Sequence, residues 1–466
     1  MHKPTLVRRL LLVFTCLIFI ALNLAVVCVF RSSPSNLCGT AQENLTHGSF
    51  DVENRHPADL GDVAVVGQSF NEIVDSVVPR VKISDVDCKL LFEGDLDELH
   101  YAEEIMTQTQ RHFLSDERMF LKSKNCTKFV KERQYILSSL TKEEEEFPLA
   151  FSIMVYKNAE QVERLLRAIY RPQNFYCFHV DNKSSPAFLN AMTSLSSCFD
   201  NVFVANTHVN VVWAEVTVLD AELVCMEELF KRYYKKWKYF INLTGQEFPL
   251  KTNMELVKIL KAYGGANDME GTLKRTFFRR NMDRFTKEWD GHLHLTGQTL
   301  PPAPFGIVPT KGAVHITATW GFVNFTLTDP IAKEFLKWTR KTHRACETFF
   351  TSLNHNPHLM VPGSFTGSAE ALETKPFMTR YKIWVDESIP FCGGKFVRAI
   401  CIFGLEHLPR LFVRNELFAN KFHQEFQPYT LDCMEEWHYN KTRLGYSLPF
   451  NTQHYRSLPF VKDKII

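Results

Sequence analysis

The sequence of 466 residues lacks several features that would identify its class directly. Its charges nearly cancel, with 54 Lys and Arg against 52 Asp and Glu, whereas nucleic-acid-binding domains usually show a basic excess or stripe. No P-loop, GxSxG or HExxH motif occurs, so those phosphoryl, acyl and zinc-protease chemistries have no support. The cysteines form no CxxC pairs with zinc-ribbon spacing. With 45% hydrophobic residues, the composition indicates a globular protein without a nucleic-acid partner.

A long uncharged apolar tract at residues 10–30 is the first positive feature. A helix of this length spans a hydrocarbon core of about 30 Å. The competing interpretation is a cleaved signal peptide, whose apolar region is shorter, at about 7–15 residues. Lys3, Arg8 and Arg9 precede the tract and keep the N-terminus in the cytosol by the positive-inside rule. The sequence therefore predicts a cytoplasmic tail at 1–9, a transmembrane signal anchor at 10–30 and a luminal remainder, which is a single-pass type II arrangement.

The luminal part is rich in cysteines and glycosylation sequons. Of the twelve cysteines, Cys16 and Cys28 lie in the anchor, and disulfides in an oxidising compartment explain the others better than metal sites do. Residues 31–85 are polar and aperiodic, which predicts a flexible stem. Asn242 lies in an apolar run and is expected to be too buried for glycan. The sequons expected to carry glycan are Asn44, Asn125, Asn182, Asn324 and Asn440.

After a largely helical stretch at 88–146, short apolar segments alternate with amphipathic helices. Strands are predicted at 149–156, 175–180, 201–205 and 238–243. This alternation predicts an α/β fold with a mostly parallel sheet that is covered on both faces. Such sheets bind ligands beyond the carboxyl ends of their strands, where Asp181 lies. Further along the chain, 396–403 is predicted as one strand and 414–421 as a short helix.

An α/β enzyme on a luminal anchor suggests a nucleotide-sugar glycosyltransferase. Many of these enzymes hold the donor diphosphate through a metal on a DxD motif, but the two DxD strings here, at 85–87 and 95–97, precede the α/β region. Neither is expected to bind a metal. Without a metal, cations must offset the negative charge that develops on the departing nucleoside diphosphate. Arg398 and Lys421 are the candidates for this role.

Five strings of sequence then identify a family. They are FYCFHVD at 175–181, CFDNVFVA at 198–205, WKYFINL at 237–243, FPLKTN at 248–253 and LFANKF at 417–422. Together they resemble the core 2/I-branching β-1,6-N-acetylglucosaminyltransferases, glycosyltransferase family 14. The resemblance implies a Rossmann-like, metal-independent variant of the GT-A fold at 86–466, with no cofactor. It also implies a protein of the Golgi membrane whose catalytic domain is luminal.

The resemblance assigns roles to individual residues. Glu347 becomes the general base, which takes the proton from the acceptor 6-hydroxyl as that oxygen attacks the anomeric carbon of the donor sugar. For the donor UDP-N-acetylglucosamine (UDP-GlcNAc), the diphosphate is assigned to Arg398 and Lys421, and the nucleoside to Asp181 and Trp213. Binding of the acceptor is assigned to Glu270 and Tyr381.

The resemblance also implies four disulfides and leaves Cys38 and Cys346 unpaired. A disulfide-linked homodimer through Cys38 is a hypothesis that follows from this count. The implied pairs are Cys88–Cys433, Cys126–Cys198, Cys177–Cys225 and Cys392–Cys401.

The chain departs from the family pattern beside the base and on the acceptor side. Cys346 replaces the Asp that precedes the catalytic Glu in the family, and Glu247 replaces a usual Asp. The residues after Glu270 align poorly with the family's acceptor-binding cations. The sequence therefore predicts inverting β-1,6 transfer of N-acetylglucosamine to a galactose- or N-acetylgalactosamine-containing O-glycan, as in mucin-type branching. Two alternatives remain, a catalytically inactive Golgi glycan-binding homologue and a xylosyltransferase-like activity with another donor.

Overall fold

The structure is a computed structural model that describes residue 74 and residues 76–273, 284–288, 293–385 and 391–466. The predicted tail and anchor, most of the predicted stem, Cys38 and Asn44 lie outside the described residues. Among the helices that the structure does describe, none combines the length and the apolar character needed to cross a membrane.

The described chain begins with helices and continues with alternating strands and helices, as predicted. The helices are α1 (Cys88–Glu93), α2 (Leu96–Gln108), α3 (Asp116–Ser123), α4 (Cys126–Glu132), α5 (Lys142–Glu145), α6 (Ala159–Ile169), α7 (Pro186–Ser196), α8 (Val216–Arg232), α9 (Asn253–Tyr263), α10 (Trp320–Thr328), α11 (Pro330–Thr339), α12 (Phe349–Asn354), α13 (Ala369–Thr374), α14 (Leu408–Phe412), α15 (Tyr429–Gly445), α16 (Gln453–Arg456) and α17 (Pro459–Lys462). The strands are β1 (Leu149–Val155), β2 (Phe175–Val180), β3 (Val202–Val204), β4 (Tyr239–Thr244), β5 (Glu247–Pro249), β6 (Asp268–Met269), β7 (Arg284–Glu288), β8 (Leu293–Thr299), β9 (Ile316–Thr319), β10 (Arg380–Tyr381), β11 (Lys395–Val397), β12 (Ile400–Ile402) and β13 (Phe418–Asn420).

The central sheet has the strand order β3-β2-β1-β4-β9-β6. Strands β1 to β4 are parallel to one another, whereas β9 pairs antiparallel with β4 and β6 pairs antiparallel with β9. Side chains along β1 alternate between two hydrophobic clusters, since Phe151 and Ile153 belong to one and Ala150 to the other. The sheet is therefore buried on both faces, as the sequence predicts.

Local sequence accounts for the helices that cover this sheet. In α6, an apolar stripe from Val162 to Ile169 packs against the hydrophobic cluster that contains Phe151 and Ile153. The Ser185 hydroxyl accepts a hydrogen bond from the Phe188 N–H at 3.1 Å and caps α7, whose first residue is Pro186.

A smaller sheet of order β10-β13-β5 overturns one prediction. Residues 414–421 are not a helix, because Phe418–Asn420 forms β13, which pairs in parallel with β10 and antiparallel with β5. The strand predicted at 396–403 is also wrong, since that segment is the antiparallel hairpin β11–β12. Arg398 and Ala399 adopt φ angles of 51° and 63° and reverse the chain between the two strands.

Hydrophobic packing and disulfides connect the first described residues and the helix α15 to the rest of the fold. Val74 and Val78, two residues of the predicted stem, are buried in a cluster with Ile136, Leu140 and Tyr439. The four implied disulfides are all present: Cys88–Cys433, Cys126–Cys198, Cys177–Cys225 and Cys392–Cys401.

The described sequons differ in exposure. Asn125 and Asn182 are exposed, whereas Asn324 and Asn440 are half-buried. Asn242 is buried in β4, where its amide donates to the Val314 carbonyl oxygen at 2.8 Å, so the expectation that it is too enclosed for glycan is confirmed.

Candidate active site

The parallel strands end together at one edge of the central sheet. The register aligns Val155 of β1 with Val180 of β2. Asp181 follows directly, and its backbone N–H donates to the Val155 carbonyl oxygen at 3.0 Å. Its carboxylate accepts from the Lys183 N–H at 2.9 Å and lies 3.5 Å from Lys183 Nζ. Asp181 is therefore held at the edge where α/β sheets bind ligands.

The loop between β3 and α8 brings Trp213 to the same region. The Val211 carbonyl oxygen in this loop accepts a hydrogen bond from Lys183 Nζ, the group that also faces Asp181. Trp213 is 58% exposed, and the Arg344 guanidinium lies over its ring at 5.6 Å from the centroid. An exposed indole near a fixed carboxylate is suited to binding a nucleoside.

Two predicted cations meet on a different part of the fold. Arg398 is exposed at the turn of the β11–β12 hairpin, which the Cys392–Cys401 disulfide closes at its base. Lys421 follows β13, and its carbonyl oxygen accepts from the Phe403 N–H at 3.0 Å. Burial, followed by the charge of Arg398, lowers the pKa of Lys421 to about 8. The charge of Arg398 therefore acts on Lys421.

The surroundings of His423 extend this group of cations. Burial lowers the pKa of His423 to about 4, and the charges of Lys421, Lys157 and Lys395 act in the same direction against that of Glu425. Within the part of the chain that the structure describes, no carboxylate forms an ion pair with Lys421. Cations gathered in this way can stabilise a diphosphate and its developing charge.

Glu347 ends a short 3-10 turn at Ala345–Glu347 that precedes α12. Its backbone carbonyl oxygen accepts from the Gly312 N–H at 2.8 Å. Its carboxylate oxygen Oε2 lies 2.8 Å from Lys311 Nζ and 4.0 Å from an Arg344 nitrogen. The neighbouring Cys346 is unpaired and buried, and this burial raises the pKa of its thiol. A half-buried carboxylate in this setting can accept a proton from a hydroxyl.

Glu270 lies close to Glu347 because two backbone segments cross tightly. A Cβ on Gly312 would lie 2.1 Å from the Glu270 carbonyl oxygen, so only glycine allows this approach. The Thr351 hydroxyl of α12 donates to the same carbonyl oxygen at 2.7 Å. The backbone of Glu270 therefore contacts Gly312, which is hydrogen-bonded to Glu347, and α12, the helix that follows Glu347.

A lysine that the sequence analysis missed faces both acids. Burial lowers the pKa of Lys382 to about 8. The carboxylates that act in the opposite direction are those of Glu270, Glu247 and Glu347. Lys382 thus lies within the electrostatic reach of the acceptor-side acid and of the candidate base, and its position next to Tyr381 was the available signal.

Tyr381 itself is placed differently from the other site residues. It is buried in β10, its ring stacks on Phe403 with centroids 5.7 Å apart, and the Arg414 guanidinium lies over it at 4.2 Å. The structure therefore places Tyr381 in a packed stack and does not bring it to Glu347. The assignment of acceptor binding to this residue has no support in its contacts.

Glu247 joins the two sheets beneath the site. Its Oε1 lies 2.7 Å from Nε2 of His315, the residue before β9, and accepts a hydrogen bond from Asn420 Nδ2 of β13 at 2.9 Å. Its Oε2 lies 3.1 Å from Arg380 Nε. Burial raises its pKa, but Arg380 and His315 outweigh burial and bring the value to about 2. An ionised Glu247 therefore fixes β13, and with it the residue before Lys421.

Among the described residues, one group of possible metal ligands lies close together, namely Cys392, Cys401 and His407. The two cysteine sulfurs in this group are bonded to each other, so they are not free to ligate. The DxD carboxylates serve helix ends, since Asp87 accepts from backbone N–H groups at the start of α1 and Asp95 does so for α2.

Comparison with known proteins places this site in a family. The family model described as "Core-2/I-Branching enzyme" matches residues 149–412. The chain belongs to the core-2/I-branching enzyme family. The matched segment runs from β1 to α14 and contains Asp181, Glu270, Glu347 and Arg398.

Members of the core-2/I-branching family align with most of the chain. A Homo sapiens beta-1,3-galactosyl-O-glycosyl-glycoprotein beta-1,6-N-acetylglucosaminyltransferase is 34% identical over 366 residues, which cover 76% of this chain and 85% of the relative. A Homo sapiens N-acetyllactosaminide beta-1,6-N-acetylglucosaminyl-transferase is 34% identical over 364 residues, with the same coverage. A Danio rerio beta-1,3-galactosyl-O-glycosyl-glycoprotein beta-1,6-N-acetylglucosaminyltransferase 4 is 36% identical over 332 residues, which cover 69% of this chain and 77% of the relative.

Proposed function

We propose that this protein is an inverting β-1,6-N-acetylglucosaminyltransferase that uses UDP-GlcNAc and a galactose- or N-acetylgalactosamine-containing O-glycan. The names of its family relatives support the linkage and the sugar that is transferred. Two relatives differ in their named acceptor, a β-1,3-galactosyl O-glycan in one and N-acetyllactosamine in the other, so the acceptor class rests on the first.

One observation carries the proposal: the charges of Glu347 and Glu270 both act on Lys382, while Lys421, on another part of the fold, forms no ion pair with a carboxylate among the described residues. Glu347 takes the proton of the acceptor 6-hydroxyl while that oxygen attacks the anomeric carbon. The bond from that carbon to the UDP oxygen breaks at the same time, and Arg398 and Lys421 stabilise the charge that leaves with UDP. Glu270 orients the acceptor sugar by accepting hydrogen bonds from its hydroxyl groups.

The proposal includes the cellular setting. The apolar tract at 10–30 would anchor the chain in the Golgi membrane with residues 86–466 in the lumen. Four disulfides and two exposed sequons, Asn125 and Asn182, are features of proteins that fold along the secretory route. Catalysis without a metal and a homodimer linked through Cys38 belong to the same proposal.

A second candidate function is binding of the donor or of a glycan without turnover. The observation that favours it is the ion pair of Glu347 with Lys311, which occupies one oxygen of the carboxylate. In that case the donor site would be intact and the transfer step absent.

The experiment that separates these functions uses the full chain in detergent with UDP-GlcNAc, EDTA and a panel of O-glycan acceptors. We expect transfer to persist in EDTA and to fall at least about a hundredfold in Glu347→Gln, with donor binding retained. Glu334→Gln, which removes an exposed carboxylate on α11, is the matched control and should behave like the wild type. Donor binding without transfer to any acceptor would favour the second candidate, and undiminished transfer by Glu347→Gln would remove the assigned base.

A further inference from the structure

Lys311 is a buried lysine whose ammonium contacts the candidate base directly. Its Nζ lies 2.8 Å from Glu347 Oε2 and donates to the carbonyl oxygen of Gly312. Lys311 is only 7% exposed, so its charge is largely removed from water. No part of the reaction assigned above uses this residue.

The backbone around Lys311 fixes its position relative to both acids of the site. Lys311 and Thr272 exchange two backbone hydrogen bonds, of 2.7 Å from the Thr272 N–H and 3.1 Å from the Lys311 N–H. The next residue, Gly312, donates to the Glu347 carbonyl oxygen at 2.8 Å. The ammonium therefore reaches Glu347 from a segment that is hydrogen-bonded on one side to the chain after Glu270 and on the other to the base.

The other charged and titratable groups that face Glu347 lie farther from its carboxylate. Arg344 approaches to 4.0 Å, and both it and Lys311 approach the same oxygen, Oε2. The charge of Glu347 also acts on Lys382, His343 and Cys346. Because both cations lie on the Oε2 side, Oε1 is the oxygen that a hydroxyl proton can reach.

Stability alone is a poor reason for this arrangement. Removing an ammonium and a carboxylate from water costs free energy that their attraction only partly returns, so apolar replacements of such pairs are often neutral or stabilising. A fixed orientation for a proton acceptor, by contrast, is what general base catalysis requires, because proton transfer needs hydrogen-bond contact in a defined geometry.

We propose that Lys311 is a positioning residue for Glu347: its ammonium holds Oε2 and fixes the orientation of the carboxylate. The acceptor hydroxyl then gives its proton to Oε1 as its oxygen bonds to the anomeric carbon, and the electron pair of the broken bond leaves with UDP. This inference rests on the proposed function, in which Glu347 is the base.

The test compares Lys311→Met and Lys311→Arg with the wild-type full chain in detergent, with Lys333→Met on the exposed side of α11 as the control. The rate kcat and the KM for UDP-GlcNAc are measured from pH 5 to pH 8. Loss of the ammonium leaves the carboxylate free to rotate away from the acceptor hydroxyl, which slows proton transfer without affecting the donor site. We expect kcat to fall at least about tenfold across this range with the donor KM within about twofold, and Lys311→Arg to restore kcat.

A kcat that stays at the wild-type value in Lys311→Met would overturn the inference while leaving the proposed function intact. Failure of the proposed function is recognised separately, by full activity in Glu347→Gln or by no transfer in the wild type. Should Lys311→Met unfold, the variant with both Lys311→Met and Glu347→Gln is compared with it by thermal unfolding. Recovery of stability in the double variant supports direct pairing, and equal loss in both overturns it.

Discussion

Above about pH 8 the affinity of this protein for UDP-GlcNAc should fall, because Lys421 loses the charge that we propose binds the diphosphate. An ordinary lysine stays protonated up to a pKa near 10.5, but burial and the neighbouring Arg398 bring the pKa of Lys421 to about 8. Binding of an anion requires the protonated form, so above this pKa the free protein must take up a proton before it binds. The expected direction is therefore weaker binding as the pH rises.

The magnitude follows from the fraction of Lys421 that is protonated. For a pKa of about 8 the apparent dissociation constant is multiplied by about 1.1 at pH 7 and by about 11 at pH 9, a change of about tenfold or about 1.4 kcal/mol. A lysine with an ordinary pKa would give almost no change over the same interval.

Isothermal titration calorimetry of the full chain with UDP-GlcNAc at pH 7, 8 and 9, at constant ionic strength, measures this effect. Lys421→Arg is the matched control, since arginine keeps its charge throughout this range, and it also corrects for titration of the uracil ring. Wild-type affinity that is constant from pH 7 to pH 9, or an equal fall in Lys421→Arg, would show that the proton on Lys421 does not govern donor binding.

Three further predictions concern other parts of the site. Glu247→Ala should lower the free energy of unfolding by about 3–5 kcal/mol in urea titrations, because it leaves the buried Arg380 guanidinium without its carboxylate partner; since the pKa of Glu247 is about 2, its stabilising contribution is present above the ordinary value near 4.5 and is lost as the pH falls towards 2. Cys346 should resist alkylation by iodoacetamide at pH 8 until the protein is unfolded, because burial raises the pKa of its thiol, and mass spectrometry of labelled peptides with and without urea checks this. Replacing Cys392 and Cys401 together by serine should weaken UDP-GlcNAc binding by about three- to tenfold, because the disulfide preorganises the hairpin that carries Arg398, and unchanged affinity would assign the bond to stability alone.

The core of the fold could be predicted because its signals are local. The prediction of a strand at 175–180 coincides with β2, Phe175–Val180, since an apolar run bounded by polar residues favours a buried strand. The hairpin turn at Arg398 and Ala399 was missed because neither residue is a glycine or asparagine, the usual signals for positive φ. The segment Phe418–Asn420 is a strand only because β5, far away in the sequence, pairs with it.

The functional site, like the fold, could be predicted only in part from the sequence. Glu347 was found through the family resemblance, since no local pattern marks an isolated charged residue as functional, whereas Arg398 and Lys421 were first named as the cations that a metal-free donor site requires. The contact of Lys311 with Glu347 depends on a crossing of backbone segments that are well separated in sequence, and no motif encodes it. Tertiary packing therefore determines which of the many charged residues meet.

The disulfide between Cys88 and Cys433 has a consequence for the synthesis of this chain. The two cysteines are 345 residues apart, so at ribosomal rates of about 5–20 residues per second the first thiol must wait on the order of 20 to 70 s for its partner. During this interval Cys126 and Cys177 emerge and compete for it. Helix α1 can therefore be locked to α15 only after translation is nearly complete. A cell that produces this protein needs thiol exchange to correct early mispairing, and yields should depend on disulfide isomerase more than the number of bonds alone suggests.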